Sequence, residues 1–224
     1  IIGHGGGSFP HVVASRYKVN EGLKDDKSKE GALLTAMSAK ELNTIILKAS
    51  LEEGMPAFPF SPSSFALASN SVIMEGFVEG IKVAVEKGFM PVVYGDVGID
   101  AQKGVCILST EEVFSFIAAA YKPSKVFFGT DVNGVYDSDP KENPNASLIN
   151  IIDSSNISMV MPGTNSAAKR ADVTGGMATK LSKLYEIAKA TGAECYIFNA
   201  TRPEELRNML SGRSELANCT IVKK

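Results

Sequence analysis

Histidine occurs twice in this chain, and His4 and His11 bracket the run Gly3-His4-Gly5-Gly6-Gly7-Ser8-Phe9-Pro10-His11. Consecutive glycines after the apolar Ile1-Ile2 let backbone N–H groups converge on an anion with no side chain in the way. A phosphate held there would also gain from the dipole of a helix that follows. Imidazole can donate to a phosphoryl oxygen near neutral pH, which favours anion binding over a plain tight turn, although the glycines alone fit either. A metal pair lacks a third ligand at a recognisable spacing.

Two further segments could carry chemistry. The run from Thr130-Asp131-Val132-Asn133-Gly134-Val135-Tyr136 to Asp139-Pro140-Lys141 follows the apolar stretch Lys125–Gly129. Asp131 then emerges at a strand's carboxyl end, where open α/β sheets bind ligands; Asn133-Gly134 alone also suits a simple turn. In Asp172-Val173-Thr174-Gly175-Gly176-Met177-Ala178-Thr179-Lys180, paired glycines open a helix with a lysine one turn in, a pattern suited to nucleotide phosphates. No Walker string Gly-x-x-x-x-Gly-Lys-Ser/Thr is present.

The elements that must position these segments alternate. Helical periodicity runs from Leu33 to Glu53, with Gly54 closing it, and again from Gly76 to Lys87 and from Met177 to Thr191. Ser109-Thr110-Glu111-Glu112 reads as a capping box opening a helix to about Tyr121, and Pro203–Leu210 as a short helix. Strands are expected at Ala57–Phe60 (near an edge, given Pro56, Pro59 and Pro62), Met90–Tyr94, Lys125–Gly129, Glu194–Phe198 and Cys219–Val222. Gly98–Gly104 reads as a turn, Asp137–Asn145 as a surface loop, and Ser61–Ser71 as a flexible loop on the substrate side. Helices between strands in this order imply a three-layer αβα sandwich around a mainly parallel sheet.

Composition narrows the function. With 224 residues, 23 Lys+Arg against 25 Asp+Glu and a net charge of −2, nothing draws the chain toward nucleic acid or an anionic membrane. No apolar run approaches the roughly 20 residues that span a bilayer. Cys106, Cys195 and Cys219 are odd in number and far apart, which suits reduced thiols in a cytoplasmic protein.

Together these strings resemble the amino acid kinase superfamily, and within it the isopentenyl phosphate kinases. Four ordered motifs carry the resemblance across nearly the whole chain: His4-Gly5-Gly6-Gly7-Ser8-Phe9 with His11; Tyr94-Gly95-Asp96-Val97; Thr130 to Tyr136 with Asp139-Pro140-Lys141; and Asp172 to Met177 with Lys180. The resemblance implies an acceptor-binding lobe over 1–97, an ATP-binding lobe over 98–224, and one sheet continuing through both. It implies ATP- and Mg²⁺-dependent phosphorylation of isopentenyl phosphate by a cytoplasmic enzyme, a homodimer like its relatives. Gly6 and Gly7 would offer N–H groups to the acceptor and the transferring phosphoryl. His11 would hold the acceptor phosphate, with Gly95 and Thr110 bordering it. Asp131, Tyr136, Asp139 and Lys141 would border the nucleotide, with Gly175 and Lys180 at its phosphates. His11, Gly7 and Lys180 would carry catalysis, with no protein ligand set for a metal. Leu42, Ile45 and Ile46 on the first long helix, facing Ser61–Ser71, could wall a prenyl tail, or simply be core.

The chain departs from the family pattern in four places. The family's first strand, Lys-x-Gly-Gly-Ser, is absent, and a preceding strand is expected. Pro10 replaces a usual glycine, restricting the backbone before His11. Thr110-Glu111-Glu112 stands where Gly-Asp-Asp is common, and Asn133 where Asp is usual. Other acceptors therefore remain open: a different small phosphate, a phosphonate or a nucleoside monophosphate. So does a non-catalytic nucleotide- or anion-binding module.

Overall fold

The computed structural model describes residues 1–138, 140, 142–161, 175–213 and 218–224. The chain divides into two compact units, 1–117 and 118–224.

In the first unit, β1 (Ile2–His4) and β2 (Ala57–Pro59) flank β5 (Met90–Tyr94), both in parallel register. Val92, Val93 and Tyr94 are each at most 1% exposed, so β5 reads as one apolar run rather than an alternating strand. Prolines confine β2 to the edge, as the sequence implies. Between β1 and β2 lie α1 (Ser8–Tyr17), a 3₁₀ turn (Val19–Glu21) and α2 (Asp26–Glu52).

Helix α2 begins seven residues before the Leu33 that periodicity suggests, because its start is set by a cap and not by an apolar stripe. The Asp25 carboxylate accepts from Ser28 N at 2.7 Å, and Ser28 Oγ accepts from Asp25 N at 2.9 Å. Its inner face is built of small residues, Gly31, Ala32, Thr35 and Ala39. A Cβ on Gly31 would lie 2.2 Å from Tyr17 Cβ, so only glycine lets α1 pack this closely. Leu42 and Ile46 turn partly inward, whereas Ile45 is 53% exposed. The three therefore do not form one wall: at 100° per residue, Ile45 sits on a different side of the helix.

The second sheet of this unit runs β4-β3-β6-β7 and comprises β3 (Ala66–Ser69), β4 (Val72–Gly76), β6 (Asp96–Asp100) and β7 (Gly104–Leu108). Ser61–Ser71 is thus α3 (Pro62–Phe65), β3 and a turn, not a loop, and 98–104 is mostly strand. Glycines and aspartates masked these strands. Gly98 leaves room for the Leu108 side chain, 2.4 Å from where a Cβ would lie. Asp100 clips two turns with one carboxylate, accepting from Asn70 N (3.1 Å), Ser71 N (2.7 Å), Gln102 N (2.9 Å) and Lys103 N (3.0 Å). Asn70 and Ser71 both hold positive φ, 51° and 68°, the pairing of a tight hairpin turn. Helices α4 (Glu79–Glu86) and α5 (Thr110–Tyr121) complete the set. The helix expected from Gly76 to Lys87 is shorter, Glu79–Glu86, and Gly76 ends β4.

In the second unit, the order is β8-β10-β11-β9, built from β8 (Lys125–Thr130), β9 (Ile151–Ile152), β10 (Glu194–Asn199) and β11 (Cys219–Val222). β8 and β10 are parallel, and β11 runs antiparallel to β10. Around them lie α6 (Ile157–Val160), α7 (Gly175–Thr191) and α8 (Pro203–Leu210). Leu181, Leu184, Ile187 and Ala188 of α7 join Val126, Cys195 and Ile197 in the core.

Among the described residues the hydrogen-bonded strands group as β1-β5-β2, β4-β3-β6-β7 and β8-β10-β11-β9, with helices around them. Val97 lies inside β6, which is bonded between β3 and β7 in the first unit.

Burial works to raise the Asp100 carboxyl, but the four amides outweigh it and hold it well below the usual carboxylate range. Its stabilising effect is therefore complete above the unfolded value near 3.9 and fades as pH falls below that. Asp100→Asn is expected to cost on the order of 2 kcal/mol at pH 7 in urea unfolding. The gap to wild type should narrow below about pH 4.

Candidate active site

The glycine run forms a turn whose carbonyls all face the protein. The His4 carbonyl accepts from Thr110 Oγ1 at 2.8 Å and Gly95 N at 3.2 Å. His4 Nδ1 lies 3.1 Å from the Gly5 carbonyl, and the Gly6 carbonyl accepts from Phe9 N at 3.3 Å. Among the described residues, no protein acceptor takes the amides of Gly5, Gly6 or Gly7. Gly7, with φ 54° and ψ −143°, holds a conformation open in effect only to glycine, and caps α1 with no side-chain hydrogen bond. Phe9 N is taken by the Gly6 carbonyl and Pro10 has no N–H, so among the described residues Ser8 N is the first-turn amide of α1 left open at the same place.

Pro10 stands in that first turn, where its missing N–H would have had no helical partner. It is buried, and its Cγ would be 2.3 Å from a Cβ on Gly6. The same Cβ position is 3.5 Å from His11 Nε2, so His11 lies beside Gly6. The His11 side chain is exposed and has no hydrogen bond among the described residues. Gly6, Gly7 and His11 are therefore gathered in one place. Gly95 and Thr110 lie behind them: Thr110 Oγ1 donates to His4 and is 3.3 Å from where a Cβ on Gly95 would be.

Several supporting contacts escaped the sequence reading. The His4 ring stacks on Tyr94 with centroids 5.4 Å apart and planes 11° from parallel, and His4 Nε2 is 3.1 Å from Asn43 Oδ1. Tyr94 OH shares a 2.8 Å hydrogen bond with Ser61 Oγ. Burial, with a smaller push from Asp96, raises the Tyr94 phenol to about 12 against the pull of Ser61. Asp96 accepts from Ser63 N at 3.2 Å and from Val97 N at 2.8 Å. Ser109 Oγ caps α5 by accepting from Glu112 N at 3.1 Å, as the sequence suggests, while Glu112 Oε1 accepts from Ile73 N of β4 at 3.0 Å. Asn43 carried the one available signal, a polar residue on the buried stripe of α2.

In the second unit, Asp131 follows the carboxyl end of β8, and its carbonyl accepts from Asn199 Nδ2 at 3.3 Å. Buried Thr220 pins the next turn. Its Oγ1 accepts from Val135 N and donates to the Ile149 carbonyl, both at 2.8 Å, and would be 2.3 Å from a Cβ on Gly134. Tyr136 bridges to Leu148. Gly175 opens α7, with half-buried Lys180 in its second turn. Asp139, Lys141 and Asp172–Thr174 lie outside the described residues. Nothing in the sequence marked Asn199 or Thr220.

Burial raises the thiols of Cys106 and Cys195 to about 12, and all three cysteines are free and buried. Among the described residues, no group of three or more His, Cys, Asp or Glu could hold a metal ion, and no helix is long and apolar enough to cross a membrane.

The chain matches the profile of the Amino acid kinase family over residues 1–199. It is 34% identical over 218 residues to an isopentenyl phosphate kinase of Methanothermobacter thermautotrophicus, covering 95% of this chain and 80% of that protein. An Arabidopsis thaliana isopentenyl phosphate kinase is 34% identical over 220 residues, covering 92% of this chain and 66% of that one. Among solved structures, an X-ray structure of isopentenyl phosphate kinase superposes with a TM-score of 0.83 at 30% identity, over 99% of this chain and 83% of that one.

The packing around the glycines separates two substitutions. Gly6→Ala drives a methyl into Pro10 and is expected to cost about 1–3 kcal/mol. A Cβ on Gly5 meets nothing within 4 Å, so Gly5→Ala should stay within about 0.5 kcal/mol of wild type when both variants are compared by urea unfolding.

Proposed function

The chain belongs to the amino acid kinase family, and we infer that it transfers the γ-phosphoryl group of ATP to isopentenyl phosphate, giving isopentenyl diphosphate and ADP. The observation that carries the reading is the alignment of open glycine amides, an uncapped helix start and an unpartnered His11 at one spot. That constellation suits an anionic rather than an amine acceptor, and the likeness to isopentenyl phosphate kinases points to a phosphate.

A phosphomonoester, with its second pKa near 6, is largely a dianion at pH 7, so no general base is needed. An acceptor phosphate oxygen attacks Pγ in line, the bond from Pγ to the β-bridging oxygen breaks, and the electron pair leaves on ADP. The barrier lies in bringing two polyanions together. Catalysis is therefore positioning plus N–H and cationic stabilisation of the transferring group. Gly6 N–H and His11 Nε2 hold the acceptor phosphate, and Gly7 N–H faces the transferring phosphoryl. Lys180 and the start of α7 at Gly175 approach the nucleotide phosphates, while Asp131, Tyr136, Asp139 and Lys141 border the nucleotide. Mg²⁺, brought by ATP, would supply neutralisation of the phosphate charge, and no side chain of this chain is assigned to hold it.

Free buried thiols fit a reducing cytoplasm. Leu33, Leu34 and Met37, 67%, 38% and 58% exposed on the outer side of α2, suit burial against a second copy. Sedimentation at micromolar concentration should show a homodimer, and a monomer there would refute that assignment.

The defining assay couples ADP release to a panel of acceptors. Isopentenyl phosphate should be turned over at the highest kcat/KM, and turnover should stop with EDTA. Preference for a nucleoside monophosphate or phosphonate would replace the substrate, and ATP binding without turnover would make the chain a binding module. His11→Ala should lower kcat/KM for the acceptor at least tenfold, with the KM for ATP within about twofold.

A further inference from the structure

We propose that His4 is a positioning residue for phosphoryl transfer, orienting the Gly5–Gly6 peptide so that Gly6 N–H faces the acceptor phosphate. The proposal rests on the functional reading above. In a planar trans peptide the C=O of one residue and the N–H of the next point in opposite directions. Whatever holds the Gly5 carbonyl therefore aims the Gly6 amide. Two neighbouring planes are held by groups outside the loop or by the helix itself: His4 O by Thr110 and Gly95, and Gly6 O by Phe9 N. Among the described residues the middle plane is held only by the His4 ring, at 3.1 Å.

Each part of the His4 environment serves that contact. A carbonyl can only accept, so Nδ1 carries the proton; Nε2 is then an acceptor, and the Asn43 amide, whose oxygen and nitrogen ends exchange by rotation, meets it with its NH2 end. Nε2 faces Asn43, 5% exposed on α2, and the ring lies flat on Tyr94. Tyr94 is itself tied to Ser61. Stack and amide together fix both side-chain torsions, leaving Nδ1 on Gly5 O. With both nitrogens and one face engaged, His4 does not itself bind phosphate; that task stays with exposed His11.

The plane needs such a lock because it joins two glycines. No Cβ restrains rotation at Gly5, where the surrounding 4 Å is open. Rotated by half a turn, the peptide would present a carbonyl oxygen to the phosphate, replacing attraction with repulsion. The cost falls on the acceptor, and not on nucleotide binding by the second unit.

The test uses the full chain with His4→Phe, which keeps a ring on Tyr94 but removes the Nδ1 donor, and Asn43→Leu, which frees the ring's far nitrogen. Calorimetry should show the Kd for isopentenyl phosphate raised at least tenfold in His4→Phe and three- to tenfold in Asn43→Leu. The KM for ATP should stay within twofold and the melting temperature within a few degrees. The double variant should match His4→Phe alone, because Asn43 acts through His4. Unchanged acceptor affinity in both single variants, or equal loss of acceptor and ATP use, would overturn the proposal. Inorganic phosphate serves as a second probe. If wild type ignores isopentenyl phosphate but binds inorganic phosphate, and His4→Phe weakens that binding, the substrate reading fails while the role of His4 stands.

Discussion

A peptide bond cannot turn its carbonyl and its amide to the same side, and the first unit is organised around that constraint. Three successive carbonyls, those of His4, Gly5 and Gly6, are each given a donor on the protein side. Among the described residues their three following amides are then left without a protein acceptor. The start of α5 supplies Thr110, the chain after β5 supplies Gly95, and β1 supplies its own histidine. Even Gly3 conforms, since a Cβ there would lie 2.1 Å from Phe114 of α5. An anion site of this kind is made by occupying acceptors, not by adding positive charge, which is why a chain of net charge −2 can hold one.

The second unit solves a related problem with a different device. Its loop after β8 carries glycine and asparagine, residues that by themselves allow many conformations. Thr220, on β11, removes that freedom by bonding both Val135 N and Ile149 O from a fully buried position. The loop is shaped by a residue some 85 positions later, so local sequence could not reveal its form.

The same distinction separates what was legible in the sequence from what was not. Continuous apolar strands such as β5, and amphipathic helices closed by glycine such as α2, were readable because their signals are local. The glycine run and His11 were readable because anion chemistry restricts which residues can serve. The β3–β4 and β6–β7 hairpins were not, since their stability rests on Asp100 reaching across the sheet to amides of two turns. Thr110 was legible as a departure from a family pattern, and only its bond to His4 O placed it as part of the frame. Pro10, a restriction when read along the chain, sits in the first turn of a helix that already has its backbone angle.

The stacking of Tyr94 on His4 has an optical consequence. The chain has no tryptophan and six tyrosines, so its ultraviolet emission is tyrosine emission alone. One of those six phenols lies flat against the imidazole that borders the glycine turn, with its hydroxyl held by Ser61. A movement of that imidazole changes what quenches the phenol. The frame behind the glycine turn thus contains a chromophore of its own, whose surroundings are set by the same imidazole that borders the turn.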